Sequence, residues 1–356
     1  MLERIIREPI DAFMPAADRD RLLLDLGEQT ARVIGRSEAD RPIVGVSIGE
    51  GPAAVSLVAG AHADEPVGPQ TLATLATWLW SDDAEAAALR RRFSFAIVPH
   101  INPDGEAANR AWIDAWPDPL AYLQHRQREK PGRDVEFAWP DRRVENAAAA
   151  AWLGPLGPFT LHMSLHGMAV ATGAWHLIGR DGAPSGIGDP TADLRRRYAA
   201  AVREAGLELF DWDRGGEKGF AYIGPGFATT PRGDAMREHF RRQNDHATAA
   251  RFGDSSMEFA IGLGGAPLVM VTELPLWLID APEITDAPGE PRRYFAFGEA
   301  LDRATAALAR GAPDQAMAAI DRFTLRPLPI AQAMRLQLTA IGLGLDAAAS
   351  AQRSRG

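Results

Sequence analysis

Four polar side chains in this chain stand at the ends of apolar runs, and their types suggest a metal centre. His62 and Glu65 sit three residues apart in AGAHADEPVGPQTL (59–72), directly after the run AAVSLVAGA (53–61). His166 ends the run FTLHMSLHG (159–167), and Glu273 follows PLVMV in APLVMVTELP (266–275). Open α/β sheets bind ligands at such strand ends. Two imidazoles and a carboxylate make a zinc set that leaves a fourth position for water. A second carboxylate nearby can take the proton from that water. An acid ending a run as apolar as PLVMV is expensive to bury without a purpose.

The other histidines compete for these roles. His162 shares a strand face with His166 but lies about 13 Å away along the strand, so one ion cannot use both. His166 precedes a glycine at the strand end and is the expected ligand, with His162 expected in the core. His100 and His176 are expected to be structural, and His125, His239 and His246 to be solvated.

The elements needed to position these groups follow from periodicity. A helix is expected over 20–35, strands over 41–49 and 53–61, a helix over 68–81 and a strand over 93–102. Pro66 suits the first turn of the second helix. Residues 103–143, rich in Pro, Trp and Arg, are expected as a long functional loop. A helix over 144–153, strands over 159–167 and 174–180, and a helix over 191–206 come next. A second loop region spans 211–234, the last strong strand 266–275, and the pattern is helical from about 292. Strands alternate with helices, which implies an α/β fold with a largely parallel, mixed sheet between helical layers. Residues 1–310 are expected to form the catalytic domain, opening on an N-terminal helical segment, and 311–356 a C-terminal helical extension.

Composition excludes several classes. There are no cysteines among the 356 residues, which removes disulfides, thiolate metal sites and cysteine nucleophiles. The net charge is −9 and the chain shows no basic stripe, so a nucleic-acid partner is not expected. Only Lys130 and Lys218 are lysines, so arginine supplies nearly all the positive charge. No apolar run reaches the roughly 18 residues of a membrane span. The first twenty residues mix charges without an apolar core, unlike a secretory signal. The expectation is a cytoplasmic protein that does not bind membrane.

The motifs HADE, NPDG, SLHG and TELP come in the order, and near the spacing, of the zinc carboxypeptidases of the carboxypeptidase A and B type. GRSEADRPIVGVSIG (35–49) also resembles the segment before that family's first strands. The resemblance covers roughly residues 20–300. It implies one zinc per chain, held by His62, Glu65 and His166, with Glu273 as general base. It implies a basic side chain after the NPDG turn that polarises the scissile carbonyl. Arg110 is the nearest match, and Arg126, Arg128, Arg142 and Arg143 share the same stretch. SSMEFA (255–260) resembles the segment that floors the side-chain pocket, with Met257 at the specificity position.

One departure bears on the substrate. Where the family has Asp-Leu-Asn-Arg-Asn-Phe-Pro, whose Asn and Arg grip a terminal carboxylate, this chain reads DVEFAWP (134–140). Glu136 would repel a carboxylate and Phe137 cannot bind one. The family's mobile tyrosine is also absent, since no Tyr falls between Tyr222 and Tyr294. Arg110, Arg142, Arg143 and Arg180 are candidates to bind an acidic group elsewhere. The resemblance thus implies a zinc-dependent hydrolase that cleaves a peptide or amide bond by zinc-activated water, acting on a peptide or acylated amino acid. Its rivals are an amide deacylase of the aspartoacylase or succinylglutamate-desuccinylase type and a non-catalytic binding protein on the same scaffold.

Overall fold

The computed structural model describes residues 2–179, 189 and 191–353, without the side chains of 351–353. Arg180 lies outside the described residues. The strands are β1 (Ala31–Arg36), β2 (Pro42–Ile48), β3 (Ala53–Ala59), β4 (Phe93–Val98), β5 (Leu161–Ala171), β6 (Gly173–Gly179), β7 (Glu208–Leu209), β8 (Tyr222–Gly224), β9 (Phe227–Ala228), β10 (Leu268–Asp280) and β11 (Thr324–Pro327). The helices are α1 (Ala16–Leu24), α2 (Val67–Trp80), α3 (Ala84–Arg92), α4 (Pro103–Asp114), α5 (Pro119–His125), α6 (Val144–Leu153) and α7 (Ala192–Glu204). They continue with α8 (Gly233–Arg242), α9 (His246–Ala249), α10 (Ser256–Gly262), α11 (Arg292–Ala309), α12 (Pro313–Ile320) and α13 (Ile330–Arg353).

The strands form one mixed sheet in the order β1-β2-β4-β3-β5-β10-β6-β9-β8, with β11 paired to the far half of β10 and β7 to β6. The central strands β4, β3, β5 and β10 run parallel. Parallel strands are covered on both faces, which is why β3 is apolar but for Ser56, and why the polar His162, Ser164 and His166 that alternate along β5 are buried as well. Val55, Leu57 and Val58 of β3 are fully buried. Each such side chain contributes about 1.5–3 kcal/mol over its exposed state. One face packs against α2 and α13, the other against α6 and α10.

Three expectations change. The helix expected over 20–35 stops at Leu24, and Ala31–Arg36 pairs antiparallel with β2. Gly27, at φ +92°, turns the chain out of the helix, and β-branched Val33 and Ile34 suit the strand. The loop expected over 103–143 contains α4 and α5. Each begins with a proline in its first turn behind a capping Asn102 or Asp118, whose side chain accepts a backbone N–H.

The third change is at the C-terminus. The segment from 311 does not stand off as an extension, because β11 joins the sheet and α13 packs on α2, α7 and β10. Gln337 of α13 is completely buried. It accepts from Thr71 Oγ1 (2.6 Å) and donates to the His166 carbonyl (3.3 Å). Among the described residues no helix is long and apolar enough to cross a membrane.

Candidate metal centre

The site lies just beyond the end of β3 and beside the middle of β5 and β10, which run on past His166 and Glu273 to Ala171 and Asp280. After β3 the chain turns through Gly60 (φ +72°), where an added Cβ would come within 2.3 Å of the His100 ring. His62, Asp64 and Glu65 follow within one tight corner, and α2 begins at Val67. Gly68 lets α2 approach closely, since a Cβ there would lie 2.7 Å from the Leu165 carbonyl oxygen. That contact brings Glu65 beside the middle of β5, at His166. On the neighbouring strand Glu273 pairs in register with His166.

The three expected ligands converge. His62 Nδ1 lies 2.7 Å from Glu65 Oε1, His166 Nδ1 lies 3.0 Å from Glu65 Oε2, and the two Nδ1 atoms are 3.1 Å apart. All three donor atoms lie within 4.8 Å of one another. Two imidazole nitrogens that face each other this closely, with a carboxylate between them, make poor company without a cation. Ligands about 2.0–2.1 Å from a tetrahedral zinc ion would stand about 3.3–3.4 Å apart, close to the spacing found. The donor set and its spacing therefore fit zinc. His162 sits deep in the sheet, bonded through Nδ1 to Ser56 Oγ at 3.1 Å.

Glu136 does not face open solvent. It is 4% exposed, and its Oε2 lies 3.0 Å from His166 Nε2. With Nε2–H donated to this carboxylate, the Nδ1 lone pair is left for a metal ion, a common orienting arrangement for ligating histidines.

The charges are strongly coupled. Burial raises the Glu65 carboxyl, but the His62 and His166 imidazoles outweigh this and hold it well below the usual range. Burial disfavours charge on His166, yet Glu136 and Glu65 raise its pKa well above the ordinary value. Glu273 is pushed up to about 8, first by burial and then by the Glu65 charge, against the pull of His166 and Arg128.

Arg110 is not in this site. It lies on α4, pairs with Asp114 and does not line the cavity. Arg126 and Arg128 do line it. Buried Asp64 accepts from Arg126 Nε (2.8 Å), Arg128 Nη1 (3.2 Å) and Tyr122 Oη (3.3 Å). Arg128 Nη1 also lies 3.4 Å from Glu65 Oε1. Burial works against the Arg128 charge, but Asp64, Glu65 and Glu273 outweigh it and keep the guanidinium protonated.

Fully buried Asn109 ties this arginine segment to the ligand corner. Its amide donates to the Ala63 carbonyl (3.1 Å) and the Gln127 carbonyl (2.8 Å), and its oxygen accepts from Gln127 N–H (2.8 Å). Asp64, in the middle of HADE, was the sequence signal for the arginine clamp, since it stands between two expected ligands. Asn109 carries no such signal, because the partners that tie it to the site are backbone atoms of Ala63 and Gln127, distant in sequence.

A cavity of about 460 Å³ opens onto the metal centre and is bordered by His62, Glu136, His166 and Glu273. Met257, in the first turn of α10, lines it and is 1% exposed, and Phe137 is part of its apolar wall. Arg142 and Arg143 line a different depression. Tyr294, at the start of α11, does reach the cavity. A tyrosine thus enters from an element other than the one where the resembling family carries its mobile one.

Residues 28–153 match the family model described as zinc carboxypeptidase. Zinc carboxypeptidase A 1 of Anopheles gambiae is 33% identical over 123 residues, 33% of this chain and 28% of that protein, so the chain matches little more than a quarter of its relative's length. The fold resembles that of a proposed carboxypeptidase from Burkholderia mallei, with a TM-score of 0.50 at 14% identity, over 95% of this chain and 68% of the other. A metallo-carboxypeptidase from Burkholderia cenocepacia aligns over 94% of this chain and 70% of its own, with a TM-score of 0.49 and 15% identity. The matched segment contains His62, Glu65 and Glu136. His166, Met257 and Glu273 lie beyond it and come into the site through β5, α10 and β10.

Proposed function

With a zinc carboxypeptidase segment at residues 28–153 as the premise, we propose that the chain is a zinc-dependent hydrolase of peptide or amide bonds. The single observation that carries this reading is the convergence of His62 Nδ1, Glu65 and His166 Nδ1, with Glu273 beside them on the adjoining strand. His62, Glu65 and His166 would hold one zinc ion per chain, which supplies Lewis-acid polarisation and an activated nucleophile.

The remaining roles belong to side chains. Glu273, in register with His166 on the adjoining strand and lining the cavity, accepts the proton of the attacking water and delivers it to the leaving amine. Arg128, held by Asp64, replaces Arg110 as the group that hydrogen-bonds the carbonyl oxygen as charge develops on it. Glu136 orients His166. Met257 bounds an apolar part of the pocket. The substrate is a peptide or an acylated amino acid.

The reading is tested by loading the protein with zinc and assaying N-acylated amino acids and short peptides. Hydrolysis that requires the metal and is lost in Glu273→Gln supports it. A protein that binds zinc tightly but turns over none of these compounds would instead be a binding protein on the same scaffold.

A further inference from the structure

The zinc-hydrolase reading leaves a substrate question open, and this inference rests on that reading. The position where the resembling family grips a terminal carboxylate is filled here by Glu136, whose carboxylate is committed to His166 Nε2 at 3.0 Å. Phe137, the next residue, packs its ring against Phe252 at 5.5 Å between centroids. Neither side chain can receive an anion.

The same cavity does hold a cation built for one. Arg214 lines it together with Trp212, Phe220 and Tyr294. Its guanidinium lies over two aromatic rings, 4.4 Å from the Trp212 centroid and 4.2 Å from the Phe220 centroid. Contact with two ring faces restricts the guanidinium, whose in-plane N–H groups suit a planar acceptor. One edge is partly used, since Nη2 donates to Glu217 Oε2 at 3.2 Å. The Arg214 side chain is 12% exposed, and its Nε is buried with no hydrogen-bond partner among the described residues. A buried donor left unpaired is costly, so a bound acceptor would relieve a penalty already present.

A second cation lines the cavity near the first. Lys218 lines the cavity beside Arg214, with its Nζ 3.5 Å from Glu217 Oε1. Glu217 is the acid paired with both, and it is also 3.4 Å from His239 Nδ1. Asp213, next in sequence, turns its carboxylate to the Gly215 N–H. The wall around the cation is apolar, formed by Trp175, Phe220 and Met236 among others. A charge-assisted bond is strongest in such a dry setting.

We propose that Arg214 is the anion anchor of this cavity, so that the substrate bears a carboxylate that reaches from the scissile bond to the aromatic wall of Trp212 and Phe220. A chain-terminal α-carboxylate and an acidic side chain offer the same chemistry. Both are planar acceptors that match the guanidinium edge.

The test uses four ligands built on benzoyl-glycyl-glutamate: the peptide itself, its glutamine counterpart, and the C-terminal amide of each. Binding is measured by calorimetry on zinc-loaded Glu273→Gln protein, so the readout does not depend on turnover. The expected result is about ten- to a hundredfold tighter binding of a carboxylate-bearing ligand than of its amide match. Loss of affinity on amidation of the terminus assigns the anchor to the α-carboxylate. Loss on changing glutamate to glutamine assigns it to the side chain.

Adding Arg214→Ala should bring the ratio to about one, and adding Arg214→Lys, which keeps the charge but loses the planar fork, should leave an intermediate ratio. The lysine variant also guards against a folding defect in the alanine one. A carboxylate preference untouched by both substitutions overturns the inference, as does the absence of any preference or of any binding. Should wild-type protein hydrolyse none of the four while Arg214-dependent binding persists, the hydrolase reading fails and the anchor stands.

Discussion

Replacing Glu136 should weaken metal binding before it changes anything else. His166 is held from both sides, with Glu65 Oε2 at 3.0 Å from Nδ1 and Glu136 Oε2 at 3.0 Å from Nε2. In Glu136→Gln an oxygen acceptor remains but its charge is gone. Charge-assisted bonds contribute about 1.5–3 kcal/mol and neutral ones about 0.5–1.5, so roughly 1–1.5 kcal/mol is lost. At about 1.4 kcal/mol per decade this lowers zinc affinity about five- to tenfold. Glu136→Ala removes the acceptor altogether, leaves a buried Nε2 unpaired and frees the ring to choose the other tautomer. Outer partners of metal ligands are worth about 10–100-fold in affinity, which is the loss expected here. The assay is competition for zinc against a chromogenic chelator at fixed pH, with thermal melts to confirm folding. The predicted order of affinity is wild type, then Gln, then Ala. An alanine variant that binds zinc within twofold of wild type would refute the orienting role.

The remaining predictions concern proton transfer, charge stabilisation and stability. Glu273→Gln should keep zinc and lower kcat by about 10²–10⁴, and a wild-type rate in the variant would remove Glu273 from the mechanism. Arg128→Ala should lower kcat by about 10²–10³, whereas Arg110→Ala, on an α4 surface paired to Asp114, should stay within a few-fold; the reverse ranking would restore Arg110. Burial depresses His176 to about 3, and neither ring nitrogen has a partner among the described residues. Unfolding therefore takes up a proton there once the pH falls below about 6.5, so its contribution is full above that value and is lost as the pH falls toward 3. Relative to wild type, His176→Phe should gain about 1.4 kcal/mol in urea unfolding between pH 7.5 and 5.5, and an unchanged difference would contradict the depressed pKa.

The strands and the ligand set were legible in the sequence because both depend on local pattern. AAVSLVA is apolar but for Ser56, as suits a parallel strand covered on both faces. His62 and Glu65 are three residues apart after its end, and SLHG and TELP fall on the two neighbouring strands, which run on further than the sequence pattern suggested, to Ala171 and Asp280. The arginine was harder. Arg110 follows the NPDG turn most nearly in sequence, but that turn starts α4, and Arg110 is a half-buried residue of that helix paired with Asp114 one turn on, away from the cavity. The chain comes back to the site only after α5, where Asp64 and Asn109 hold the segment that carries Arg126 and Arg128.

The C-terminal helix misled for a related reason. The polar Gln337 in an apolar helical pattern gives no hint that it spans Thr71 and the His166 carbonyl across the core. Arg214 was also invisible, because its partners are the faces of Trp212 and Phe220, which leave no motif.

The claim on which the account depends is that His62, Glu65 and His166 bind a metal ion. Crystals grown with zinc and measured on both sides of the zinc absorption edge test it directly. The account predicts one anomalous peak per chain, about 2.0–2.2 Å from His62 Nδ1, a Glu65 carboxylate oxygen and His166 Nδ1. A protein with no peak at that position, or with zinc on His162 or His100 instead, would contradict it.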